Sequence, residues 1–350
     1  MTETTRSRKT EEKNMRKKLY ATLGATALVA TMGACGGVDT GTGENSGGTG
    51  ETGKASIQIP EACNAENPYL AVLLPNQQNP YYVAMKRGFE EEGKAKGFNV
   101  EVQIANDDDA NQLAQAQAML QKNPCALALN PVKSEPAAAI VKAANDAGVP
   151  VFTVNIIVDP DALSAQGASV VQYVGANNHE GGVQMAEKVL ADFGADAKLN
   201  IGYVTEPDEL PVVQRDLGFR EKMKSNPNAK DVAEVDGNVK PDDSLNVTSA
   251  MIQGNPDINV IFASTGPAAY GALQAVQASG KDIKVYGFCA AGETLTDAYP
   301  GCVAQEPEEY GRILVQQIAE YKQGKSVESE LLQSLKQFEK GQTPGEGELG

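Results

Sequence analysis

Residues 69–97 read YLAVLLPNQQNPYYVAMKRGFEEEGKAKG and hold a complete strand–loop–helix unit. Tyr69–Leu74 is a short continuous apolar run, the pattern of a strand covered on both faces. Pro80–Lys96 has helical spacing, with Val83, Met85 and Phe89 inward and Lys86, Glu90 and Lys94 outward, and Gly97 is placed to end it. The loop between them, Asn76-Gln77-Gln78-Asn79, supplies amides, and Tyr81-Tyr82 puts two aromatics at the helix start. Amides offer paired donors and acceptors, and the rings an apolar wall.

The same unit repeats along the chain. Strands are expected at 100–104, 126–129, 151–154, 170–174, 200–204, 231–235, 260–263 and 284–288. Helices are expected at 111–121, 135–147, 179–193, 212–225, 244–254 and 267–279. Strict alternation implies parallel sheets with right-handed crossovers and helices on both faces, and two successive sets imply two doubly wound α/β lobes. Such sheets bind ligands at the carboxyl ends of their strands, where strand order reverses. Asn79, Tyr81 and Tyr82 follow the first strand, Asn130 the third and Asn155 the fourth, while Arg215 lies near the start of a later helix. Amides, a rigid guanidinium fork and aromatic faces suit a polar small molecule buried in a cleft. Tyr81-Tyr82 as core packing and Arg215 in a surface ion pair with Asp216 or Glu221 are the plainer readings. Ordinary turn chemistry explains Asn130 before Pro131 equally well.

The start reads as a targeting segment. Arg16-Lys17-Lys18 precedes an uncharged stretch, Leu19–Met32, too short to span a bilayer but suited to a signal peptide over residues 1–34, with Met15 as an alternative start. Met32-Gly33-Ala34-Cys35 resembles a bacterial lipobox, which makes Cys35 the lipidated residue. Residues 36–54, GGVDTGTGENSGGTGETGK, have almost nothing to bury, and a flexible tether is expected over 35–65. Residues 1–34 carry seven basic against three acidic residues, so of the chain's net −16 the remainder carries −20. That acidity argues against nucleic acid as a partner.

Four further cysteines, Cys63, Cys125, Cys289 and Cys302, have no CxxC spacing, and His179 is the one histidine, so no metal or cofactor is expected. An even number in an exported protein suggests disulfides. Three pairings are open; sequence proximity favours Cys289 with Cys302, which leaves Cys63 with Cys125. Asp107-Asp108-Asp109 lacks the spacing of a calcium loop and fits a helix cap.

Over residues 68–325 the chain resembles the type I periplasmic solute-binding proteins, in their ribose-binding branch. The resemblance is carried in order by Asn79-Pro80-Tyr81-Tyr82, Asn130-Pro131, Gly148-Val149-Pro150-Val151, Gly181-Gly182, Arg215 before Gly218-Phe219, Gly271-Ala272-Leu273, Val285-Tyr286-Gly287-Phe288 and Gln305. It implies that Tyr81 and Tyr82 edge the ligand and that Asn79, Asn130, Arg215 and Gln305 hydrogen-bond it. By position Asn155, Thr265 and Cys289 join them. It implies three crossings between lobes, near 176–177, 305–306 and 329. The N-lobe is then 66–176 plus 306–329 and the C-lobe 177–305 plus 330–340. Three departures stand out. Asn155-Ile156 replaces Asp-Arg, Thr265-Gly266 replaces Asn-Asp, and Cys289 replaces Asp. Loss of two carboxylate acceptors points to a ligand less hydroxylated than a pentose, or to one that poses differently, with Arg215 favouring an anionic or carbonyl-bearing group. Glu328–Lys340 reads as a helix and 341–350 as a disordered tail.

The function these features imply is an extracytoplasmic receptor, lipid-anchored at the cell membrane, that closes on a sugar or related polar solute and delivers it to an ABC permease. A sensory receptor of the same fold is one alternative. An enzyme on a doubly wound fold is another, although GxSxG, Walker and Rossmann motifs are missing. A monomer is the default.

Overall fold

The computed structural model describes residues 59–350. The signal segment, Cys35 and the tether as far as residue 58 lie outside the described residues.

Two six-stranded sheets are built in the same order. The first runs β11 (Glu330–Gln333), β5 (Gln172–Ala176), β4 (Val151–Val154), β3 (Ala126–Leu129), β1 (Tyr69–Leu74) and β2 (Asn99–Ile104). All of its pairings are parallel. The second runs β12 (Lys336–Glu339), β10 (Gly301–Ala304), β9 (Lys284–Phe288), β8 (Val260–Ala263), β6 (Leu199–Thr205) and β7 (Ala229–Asp236). There β12 alone is antiparallel. Each sheet carries apolar clusters on both faces, so its central strands are continuous apolar runs with no exposed side.

Helices α1 (Pro80–Ala95), α2 (Asp109–Leu120), α3 (Ala137–Asp146) and α4 (Pro160–Gln166) belong to the first lobe, together with the returning α9 (Pro307–Lys322). Helices α5 (Asn178–Phe193), α6 (Leu210–Met223), α7 (Pro241–Gly254) and α8 (Gly266–Ser279) belong to the second. One device recurs in both. A Cβ on Gly88 of α1 would lie 2.0 Å from the Glu308 carbonyl of α9, and one on Gly182 of α5 would lie 2.0 Å from the Arg215 carbonyl of α6. Only glycine allows the paired backbones to approach so closely. Met85 and Phe89 of α1 are buried, but Val83 is 44% exposed and does not face the core.

The chain behind residue 304 departs from expectation. Glu328–Lys340 is not a helix: it supplies two edge strands, β11 pairing with β5 and β12 with β10. The third crossing therefore falls at residues 334–335 rather than 329, and 330–333 belong to the first lobe's sheet. Residues 341–350 are not disordered. Leu349 is 3% exposed and exchanges two backbone hydrogen bonds with Gln305, at 2.7 and 3.0 Å. Nor does the tether reach 65. Cys63, in a 3-10 turn over Glu61–Asn64, is buried and bonded to Cys125, and Cys289 is bonded to Cys302.

Candidate functional site

Strand order reverses between β1 and β3 in one sheet and between β6 and β8 in the other, and the loops beyond these strands face each other. On the first lobe, Asn79 caps α1 by accepting from the Tyr81 N–H at 3.0 Å, with Pro80 preset for the first turn. This fixes Tyr81 and Tyr82, whose rings meet edge to face at 5.5 Å. The Tyr81 hydroxyl lies 2.9 Å from Asn155 Oδ1 and 3.0 Å from Gln305 Oε1. A phenol has one proton to donate, so it hydrogen-bonds one of these oxygens at a time, that of the amide at the end of β4 or that of the amide at a lobe crossing. Asn155 sits at φ +61°, a left-handed conformation asparagine tolerates, and its carbonyl accepts from the Tyr173 hydroxyl at 2.8 Å.

The second lobe contributes charge. Arg215 on α6 is 4% exposed; its Nε donates to Asn178 Oδ1 and its Nη1 to the Ser264 carbonyl, each at 2.8 Å. Its guanidinium lies 3.8 Å over the Phe288 ring. Arg215 pairs with neither Asp216 nor Glu221. Burial lowers its pKa from the ordinary arginine value. Asp216 instead accepts from the hydroxyls of Thr205 and Ser264, and burial pushes its carboxyl up to about 6. Between β6 and α6 stand Glu206 and Glu209. Burial pushes Glu206 up to about 7 and Glu209, helped by the neighbouring Glu206 charge, up to about 8. Opposite them Val239 is held at φ +51°, strained for a β-branched residue.

Asn79, Tyr81, Tyr82, Asn155, Arg215, Thr265 and Gln305 are brought together around one cavity of about 20 Å³, which Ile156, Glu209, Val239 and Gly350 complete. A neighbouring cavity of about 180 Å³ shares Tyr82, Glu209 and Val239 with it. Outside the walls the lobes touch: Lys133 Nζ meets Asp208 Oδ2 at 2.7 Å, and the Leu210 N–H donates to Ser134 Oγ at 2.9 Å. The walls are thus drawn together, with room in the central cavity for about one water molecule.

Two expected contacts fall elsewhere. Asn130 is fully buried behind the wall, its Nδ2 3.3 Å from Met85 Sδ and its Oδ1 without a partner among the described residues. Cys289 is withdrawn from ligand chemistry by its disulfide to Cys302, and Gly350 packs against its backbone. Glu206 and Glu209 carry no motif, but the rule that ligands lie beyond strand ends at the reversal point marks their loop once β6 is placed beside β8.

The periplasmic binding protein domain family matches residues 70–326. The ribose import binding protein of Bacillus subtilis is 32% identical over 269 residues, covering 74% of this chain and 83% of that protein. The fructose import binding protein of Bifidobacterium longum is 27% identical over 334 residues, covering 92% and 94%. An ABC transporter periplasmic solute binding protein of Actinobacillus succinogenes, solved with bound D-allose, superposes with a TM-score of 0.70 at 25% identity, over 78% of this chain and 98% of that one. With a match over most of its length and two lobes of the same fold, the chain belongs to the periplasmic binding protein family.

Proposed function

We propose that this chain is the extracytoplasmic sugar receptor of an ABC importer, taking a sugar or sugar-like polar solute between its lobes and presenting the closed form to a membrane permease. One observation carries the reading: Tyr81, Asn155 and Arg215, from opposite lobes, converge with Gln305 at a lobe crossing on a single cavity at the carboxyl ends of both sheets. Cargo that bridges the lobes favours the closed form by its differential affinity for closed over open. Relatives named for ribose and fructose import and a neighbour holding D-allose support a neutral monosaccharide as the cargo class.

Thermal shift and calorimetry on the full chain against D-ribose, D-allose, D-fructose and myo-inositol test it. A sugar at one hundred times its Kd adds about 2.7 kcal/mol, a shift of several degrees. Flat curves for every sugar would reject the reading. Cys35 would carry the lipid that holds the receptor at the cell membrane. Labelling with a fatty-acid probe, lost in Cys35→Ser along with sedimentation in the membrane fraction, checks that part.

A further inference from the structure

The cleft lacks the acids its family places after β4 and β9, yet it is not without a carboxylate. Glu209 is 9% exposed and lines both the 20 Å³ and the 180 Å³ cavity. Its side chain accepts no hydrogen bond and joins no ion pair among the described residues. The neighbouring acids differ: Glu206 accepts from the Asp208 N–H at 3.1 Å, Asp107 from Asn76 Nδ2 at 2.7 Å, and Asp208 is held by Lys133. Glu209 is the one acid of the group whose carboxylate accepts no hydrogen bond at all among the described residues, and it sits where α6 begins, six residues before Arg215.

We propose that Glu209 is the cargo-accepting carboxylate of this receptor, taking hydrogen bonds from the hydroxyls of a neutral sugar while Arg215 donates to a cargo oxygen. This rests on the sugar-receptor reading above and specifies its chemistry. One buried acid beside one buried guanidinium disfavours a sugar acid, which would face Glu209, Glu206, Asp107 and Asp208, and a cationic amino sugar, which would face Arg215. An acid lost from a strand end has been replaced from the start of a helix.

The same geometry couples binding to a proton. The groups that face Glu209 are Glu206 and Asp208 on its own loop, Asp107 beyond β2, Arg215 on α6, Tyr82 on α1, and Lys133 and Lys240 around the larger cavity. Burial and the acids hold the empty carboxyl up at about 8, with Arg215 opposing them. Hydroxyl donors favour the ionised form, so cargo binding releases a proton and affinity rises with pH. For a carboxyl near 8 the apparent Kd falls roughly 50-fold between about pH 6 and 8.

The test is calorimetry on the full chain with D-ribose, D-allose, D-fructose, D-glucuronate and D-glucosamine, in buffers of different ionisation enthalpy. We expect a neutral sugar to bind tightest and to release about one proton near pH 7. Glu209→Gln should cost it 10- to 100-fold at pH 8 and abolish both proton release and pH slope. Glu206→Gln should keep the slope, moved to lower pH, and Glu209→Asp should recover part of the affinity; a single cooperative melting transition shows each variant folded. Neutral-sugar binding with Glu209→Gln within twofold of the parent would reject Glu209 and leave the sugar-receptor reading standing. Tightest binding of glucuronate or glucosamine would reject the neutral cargo, and no binding of any probe would reject both.

Discussion

The two lobes are built on one plan and equip it differently. Both sheets reverse order at the corresponding place, and both lobes lock a helix pair through glycine. The N-lobe places neutral groups on the cleft, Asn79, Tyr81, Tyr82 and Asn155, and burial carries both tyrosines far above their ordinary range. The C-lobe places Arg215 and Glu209 there. On the sugar-receptor proposal one wall would therefore read shape and apolar faces and the other charge, so sensitivity to pH would belong to one lobe although cargo would touch both.

The lobes also differ in their staples, and this gives the largest expected effect. Cys63–Cys125 closes a separation of 62 residues and Cys289–Cys302 one of 13. By loop entropy, replacing the first pair with serines costs about 4 kcal/mol and the second about 3 kcal/mol. Chemical denaturation of the two variants checks the order; equal losses would break it. Arg215→Met comes next, expected to weaken the best-bound sugar by about 100-fold, close to 2.7 kcal/mol, because the guanidinium is buried in a desolvated wall. It also leaves Asn178 and the Ser264 carbonyl without a donor, so its melting temperature should fall, and lysine should not rescue it, since its ammonium cannot reproduce the planar fork.

Tyr81→Phe is the matching probe of the neutral wall. Losing the hydroxyl that hydrogen-bonds Asn155 or Gln305 should weaken binding by about tenfold and leave the pH slope intact. A changed slope would mean that the walls are not separable. The smallest effect concerns the cargo-free protein. Asp216, Glu206 and Glu209 have folded pKa values of about 6, 7 and 8, each above its unfolded value, so the folded state binds more protons than the unfolded chain through that window. Their contribution to stability is full below about pH 4 and is lost as pH rises through these values. Melting temperature should fall between pH 5 and 8, and Glu209→Gln should flatten the upper part of that fall.

Much of this was legible in the residues. Apolar runs such as Tyr69–Leu74 can serve only a strand covered on both faces, and the strand ends then mark the cleft. What was not legible depended on pairing partners. In Glu328–Lys340 the apolar residues Leu331, Leu335 and Phe338 recur at helix-like intervals, yet Leu331 packs on the first lobe, Phe338 on the second, and Leu335 against both. Edge positions beside β5 and β10 overrode the local period. The tail looked unstructured because Leu349 is its one large apolar residue, while backbone hydrogen bonds to Leu295, Gln305 and Cys289, which leave no mark in the sequence, hold the rest. Glu209 was passed over because a glutamate before a helix is ordinarily a solvated end residue; only burial against the other lobe gives it a task.

The return of the chain to its first lobe governs when that lobe can exist. β11 and α9 complete the N-lobe, and β11 finds β5 across more than 150 residues of intervening sequence. During synthesis the N-lobe lacks its edge strand and covering helix until all of the C-lobe but its last strand, β12, has been made. Long-range closure of this kind is slow. A polypeptide that must pass through a membrane pore before it folds is served by that delay, since the last strands to emerge are the ones that let both halves lock.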